Sequence, residues 1–229
     1  MALSMPVLTD RHPWLGYVLP FAVFIVFLGL QSALPLSARG SATLWILVVA
    51  AAVLLVSRPV LSFRLERPVA TIGLGVAMAV LWVLPDHLFP GYRSGWLFEN
   101  ALTGTVESGV PVAARADWLF LGLRLVRAAL VVPIVEELFW RGWLPRWIDQ
   151  PADFRQAPLG QFSRFAFWAT AVLFAVEHGA YWDVGLMAGV IYNWWMIKTR
   201  SLGDLIWCHA VTNGCLSVYV VGLGKWQYW

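Results

Sequence analysis

Four stretches of the chain, residues 13–38, 40–57, 68–85 and 205–224, contain no Asp, Glu, Lys or Arg. A helix needs roughly 20 apolar residues to cross a hydrocarbon layer about 30 Å thick, and each of these runs approaches or exceeds that length. Inside lipid every backbone N–H and C=O must be satisfied within the protein, which restricts such runs to helices or a closed barrel. Continuous apolar runs, without the alternation of a barrel strand, select helices. Composition agrees, because the 229 residues are 60% hydrophobic and only 13% charged, too little polar surface for a water-soluble globule. The expected fold class is all-α: a polytopic transmembrane helical bundle forming a single domain over residues 1–229.

Three further spans, roughly 117–147, 164–181 and 184–199, are less clean, being interrupted by Arg124, Arg127, Glu136, Glu137, Arg141 and Glu177. Seven spans result. A charged side chain at mid-bilayer costs about 2.5–3.5 kcal/mol on insertion scales, so ionisable residues confined to a few spans point to a working site there. With the N-terminus cytoplasmic, Arg11, Arg58, Arg64, Arg67, Arg146, Arg155, Arg164, Lys198 and Arg200 lie inside and only Arg39, Arg93, Arg115 and Lys225 outside. That distribution predicts a multi-pass protein of the cytoplasmic (inner) membrane with its C-terminus outside. The first apolar stretch reads as a signal anchor, with a weak cleavage-like sequence at Ser37–Ala42. Residues 90–116 read as a longer outer loop carrying at most a short interfacial helix. A net charge of +3 without a basic block excludes a nucleic-acid partner and leaves the bilayer as the expected surroundings.

The run Val131–Trp147 carries the densest chemistry. Glu137 and Arg141 are spaced i, i+4 with the acid first, the order that best pairs them on a helix. Glu136 then faces elsewhere, without a cation of its own and available to exchange protons with water. Pro133 and Pro145 each remove a backbone donor and disturb the helix on either side. His178 closes the next span with Phe174 four residues before it, and His209 and Asn213 share one face of the last span. Two donors on one face can act as an oxyanion hole, and His178 can share with Glu136 the activation of a water. Glu177 either tunes His178 or faces a hydrated cavity. Cys208 and Cys215 lie about 10.5 Å apart along a helix, too far for a disulfide. His12 and His87 need no role.

In this order Glu136-Glu137-x-x-x-Arg141, Phe174-x-x-x-His178 and His209-x-x-x-Asn213 resemble the motifs of the CPBP family of intramembrane proteases, which includes the CAAX prenyl proteases of the Ras-converting-enzyme type. The tail from Val211 to Trp229 resembles the bacterial branch associated with exosortase and PEP-CTERM sorting. The resemblance covers roughly residues 117–222, the expected catalytic core, and implies a metal-independent glutamate protease without a cofactor. It implies that Glu136 and His178 activate water, that His209 and Asn213 stabilise the oxyanion, and that Glu137 and Arg141 support them. The implied partners are a membrane-associated peptide or protein substrate and components of an exosortase system. Such a site needs a hydrated cavity within the bundle, expected to be entered from the cytoplasmic side or laterally from lipid. Two alternatives use the same residues: zinc held by the histidines and a glutamate, and a non-enzymatic binding, scaffold or immunity protein.

Overall fold

The computed structural model describes residues 11–106 and 108–229. The expected cytoplasmic placement of the N-terminus falls on residues outside the described ones. Among the described residues there is no strand; seven helical elements follow one another: α1 (Leu15–Leu30), α2 (Ala38–Ala52, extended by a π-helical turn to Ser57), α3 (Pro68–Leu88), α4 (the continuous run Trp118–Asp149), α5 (Arg164–Glu177), α6 (Trp182–Thr199) and α7 (Leu202–Leu223). They match the seven expected spans. Four, Ala38–Ser57, Pro68–Leu88, Trp118–Asp149 and Leu202–Leu223, are long and apolar enough to cross a membrane by themselves. α1 and α5, with 16 and 14 residues, are shorter.

Local chemistry sets the ends. α1 gives way to a 3₁₀ turn at Gln31–Ala33 and stops at Leu34, which is extended (ψ 130) before Pro35. Ser37, Ser163 and Ser201 cap α2, α5 and α7, each accepting from a backbone N–H of the first turn. α5 ends at His178, whose backbone (φ −87, ψ 4) leaves the helix, and Gly179 at φ +55 completes the turn into α6. Among its described residues the 90–116 loop carries a 3₁₀ turn at Val112–Ala114 and an isolated antiparallel bridge between Asn100 and Gly104.

α4 is not one regular helix. π-helical turns occupy Arg127–Val131 and Leu138–Trp143, with the Glu136–Glu137 turn between them. The prolines explain both. Val132 N–H bonds to the carbonyl of Arg127 and Leu144 N–H to that of Phe139, five residues back in each case. Pro133 and Pro145 follow directly and have no N–H to continue the ladder.

Small residues bring the helices close, as expected where lipid supplies no hydrophobic drive between them. A Cβ on Gly75 of α3 would lie 2.6 Å from the Cys208 carbonyl of α7, and one on Gly189 of α6 would lie 3.0 Å from Ala171 of α5. The outer surface is apolar, with Val69, Leu130, Val176 and Val218 exposed. At the Trp118 end, Arg39 pairs with Asp117, Arg93 pairs with Asp86 and Asp183, and the Gly109 N–H donates to the Trp229 carbonyl. At the Asp149 end, the Asp204 carboxylate accepts from the N–H groups of Glu66 and Arg67 and so caps α3. The bundle thus places α4 and α7 side by side, with the α5–α6 hairpin across them.

Candidate active site

A cavity of about 260 Å³ lies between α3, α4, α5, α6 and α7, and Glu136, His178, His209 and Asn213 all line it. That volume holds several waters. Tyr192 and Thr212 form part of its wall, while Trp82, Arg124, Arg127, Tyr228 and Trp229 lead away toward the Trp118 end.

Glu136 is buried and has no hydrogen-bond partner among the described residues; its Oε2 lies 4.0 Å from His209 Nε2. Glu137, on the next residue of α4, turns away from the cavity. Its Oε1 accepts from Arg141 Nη1 at 3.1 Å and meets His209 Nδ1 at 2.8 Å. The pairing of Glu137 with Arg141 read from their spacing is therefore present, and Glu137 also holds the His209 ring. With Nδ1 committed to a carboxylate, His209 presents Nε2 toward Glu136.

Arg141 is fixed from three sides: Glu137, the Asn193 Oδ1 accepting from Nε at 3.2 Å, and the rings of Phe174 and Tyr192 at 4.3 and 5.3 Å. Asn193 in turn donates to the Phe167 carbonyl and to Thr170. The Tyr192 hydroxyl donates to Thr212, whose own hydroxyl lies 3.0 Å from the Gly75 carbonyl. Asn193, Tyr192 and Thr212 escaped the sequence reading, because an uncharged polar residue on a span resembles any small interhelical contact. Asn193 alone had a faint signal, being an amide within the apolar run that precedes Lys198.

His178 keeps its expected neighbour. Its Nδ1 lies 2.7 Å from the Phe174 carbonyl, and a carbonyl only accepts, so the proton sits on Nδ1 and Nε2 is left with a lone pair. Its ring packs on Phe174 and Trp82. Glu177, the neighbour of His178, faces α4. Its Oε2 accepts from the Trp140 indole of α4 at 2.9 Å, and the residue does not line the cavity. Asn213 donates from Nδ2 to the Ala128 carbonyl at 2.9 Å. That carbonyl stands five residues before Pro133, so in the π register it lacks an intrahelical donor and the asparagine supplies one. One amide hydrogen of Asn213 remains.

The cavity lies toward the Trp118 end of α4. No residue of 58–67 or 147–163 lines the cavity. Toward the Asp149 end it is closed by Arg141 and a packed layer including Leu138, Leu144, Trp195 and Leu205. Among the described residues no group of three His, Cys, Asp or Glu side chains is placed to hold a metal ion. Both cysteines are free thiols.

Residues 118–215, from the first residue of α4 into α7, match the family model described as type II CAAX prenyl endopeptidase Rce1-like. No curated protein and no solved structure matches the chain. The matched segment contains Glu136, Glu137, Arg141, His178, His209 and Asn213, the residues that gather in and behind the cavity. An all-helical membrane-embedded bundle thus carries its polar centre on a segment, residues 118–215, that is similar to the type II CAAX prenyl endopeptidases of the Rce1-like family.

Proposed function

We propose that the protein hydrolyses a peptide bond in a membrane-associated peptide or protein with water activated by Glu136 and His178. The observation that carries this reading is that Glu136, a buried carboxylate without a hydrogen bond, shares a cavity wall with His178, His209 and Asn213. A buried carboxylate is costly unless something uses it.

In the proposed reaction the water oxygen attacks the scissile carbonyl carbon as one proton passes to Glu136, while His178 Nε2 accepts a hydrogen bond from the second hydrogen, which stays on the oxygen, and so orients the attack. The carbonyl electrons move to oxygen, and the oxyanion receives hydrogen bonds from His209 Nε2–H, in the doubly protonated ring with Glu137 as counter-ion, and from the remaining Asn213 N–H. Collapse of the adduct expels the amine, which takes the proton from Glu136 and leaves a carboxylic acid. Glu137 and Arg141 act by holding His209 rather than by touching substrate.

Nine of the thirteen cations flanking the spans lie at the Asp149 end, and we take that end as cytoplasmic. The cavity then opens away from the cytoplasm, and substrates are segments that reach that face from water or laterally through lipid. The resemblance of the Val211–Trp229 tail to the exosortase-associated branch puts sorted protein tails among the candidates.

Comparative proteomics of membrane and secreted fractions tests the proposal. A substrate should accumulate uncut with Glu136→Ala and appear shortened with the unaltered protein. Identical fractions, with no cleavage by purified protein, would favour a non-enzymatic role.

A further inference from the structure

Between the open end of the cavity and Glu136 stand Arg124 and Arg127 of α4, three residues apart and both on the cavity wall. Neither has a carboxylate within ion-pair distance among the described residues, whereas Arg141, further along the same helix, has Glu137. Their polar contacts are long: Arg127 Nη1 to Gln31 Oε1 and Arg124 Nη1 to the Gly109 carbonyl, each at 3.5 Å. Their guanidinium groups lie over the rings of Trp45 at 4.3 Å and Trp229 at 5.5 Å, which fixes them without neutralising them. Two partly buried like charges side by side repel each other and lose hydration, and a single anion between them offsets both costs.

We propose that Arg124 and Arg127 form an anion subsite that grips a carboxylate of the peptide substrate while the scissile bond lies over Glu136. The proposal rests on the catalytic reading above for its choice of ligand, since whatever reaches Glu136 by this cavity passes the two arginines. Arg127 precedes Glu136 by nine residues, about 13 Å along the helix. An extended peptide advances about 3.3–3.6 Å per residue, so the gripped carboxylate lies about three to five residues from the cleaved bond once the arginine side chain's own reach is included. A chain terminus and an Asp or Glu side chain both supply that carboxylate. The planar guanidinium fork suits either.

Equilibrium binding to full-length protein in phosphatidylcholine nanodiscs separates the possibilities, using Glu136→Gln so that affinity is read without turnover. Three acylated tetrapeptides serve as probes: an uncharged C-terminal amide, the same peptide with a free C-terminus, and the amide carrying Asp as its last residue. Either carboxylate-bearing probe should bind about 10- to 100-fold more tightly than the uncharged amide, the worth of a hydrogen-bonded charge pair. Which one gains identifies the source. Combined Arg124→Gln and Arg127→Gln should abolish the preference, whereas Arg127→Lys, which keeps the charge but not the fork, should retain part of it and guards against a misfolded double variant.

Equal affinities for all three probes would overturn the proposal, as would a preference that survives in the folded double variant. Loss of the preference when phosphatidylglycerol replaces part of the phosphatidylcholine would show that the pair holds lipid phosphate instead, and would also overturn it. Because binding is read without chemistry, a carboxylate preference in a protein that cuts nothing would leave the subsite standing and remove only the catalytic reading.

Discussion

Glu137→Gln probes the centre of the polar cluster. Glu137 is fully buried, and one oxygen receives both Arg141 Nη1 at 3.1 Å and His209 Nδ1 at 2.8 Å. The amide removes the carboxylate in ion-pair contact with Arg141, itself 2% exposed, and leaves it with the Asn193 carbonyl oxygen and two aromatic faces. Breaking a buried pair in this way costs about 3–5 kcal/mol. For a chain of this size each kcal/mol is about 2–4 °C, so the unfolding temperature in detergent should fall by about 6–20 °C. A second loss follows from geometry, because the amide no longer anchors the His209 ring as a carboxylate does, and turnover should fall even in molecules that remain folded. Adding Arg141→Met separates the two effects. The double variant buries no unpaired charge and should recover most of the lost stability, yet its turnover should stay low because His209 still lacks its anchor. Thermal unfolding by intrinsic fluorescence and peptide cleavage on the same preparations give both numbers. Full recovery of turnover in the double variant would refute the positioning role of Glu137, and an unfolding temperature unchanged in Glu137→Gln would refute the energetic argument.

Glu136→Gln should do the opposite, lowering cleavage by about 10²–10⁴-fold with little change in unfolding temperature, because Glu136 bonds to nothing in the fold; a stable variant that still cuts would remove it from the mechanism. Asn213→Ala should slow turnover by about 10²–10³-fold and also cost about 1–3 kcal/mol, since the Ala128 carbonyl loses the donor that Pro133 fails to supply. An Asn213→Ala protein with full stability would show that the carbonyl finds another partner. Treatment with a strong chelator should leave cleavage intact, and activity lost and then restored by zinc would establish a metal-dependent reaction in its place. A reporter fused after Lys225 should be active on the outer side of the membrane, and activity on the cytoplasmic side would invert the orientation and with it the face to which the cavity opens.

Sequence alone determined the helices and the polar inventory, for reasons that act locally. Uncharged runs of about twenty residues leave the backbone one way to satisfy its hydrogen bonds in lipid, so the seven helical elements follow their hydropathy, with ends set by Pro35, Ser37, Ser163 and Ser201. The Glu137–Arg141 pair was legible for the same reason, because four residues along a helix return to the same face. Tertiary structure decided everything that depends on which helix lies beside which. That α7 brings His209 onto Glu137 rather than only into the neighbourhood of Glu136 is a matter of the close contact at Gly75, where any larger side chain would hold α3 away from α7. That Asn213 spends one of its hydrogens on Ala128 follows from a π register which proline makes possible but neighbouring helices must complete. The side on which the cavity opens was invisible in the sequence, since it is set by which end the layer of Arg141, Leu138, Leu144 and Trp195 closes, and these residues meet Leu205 only when α4, α6 and α7 are packed together.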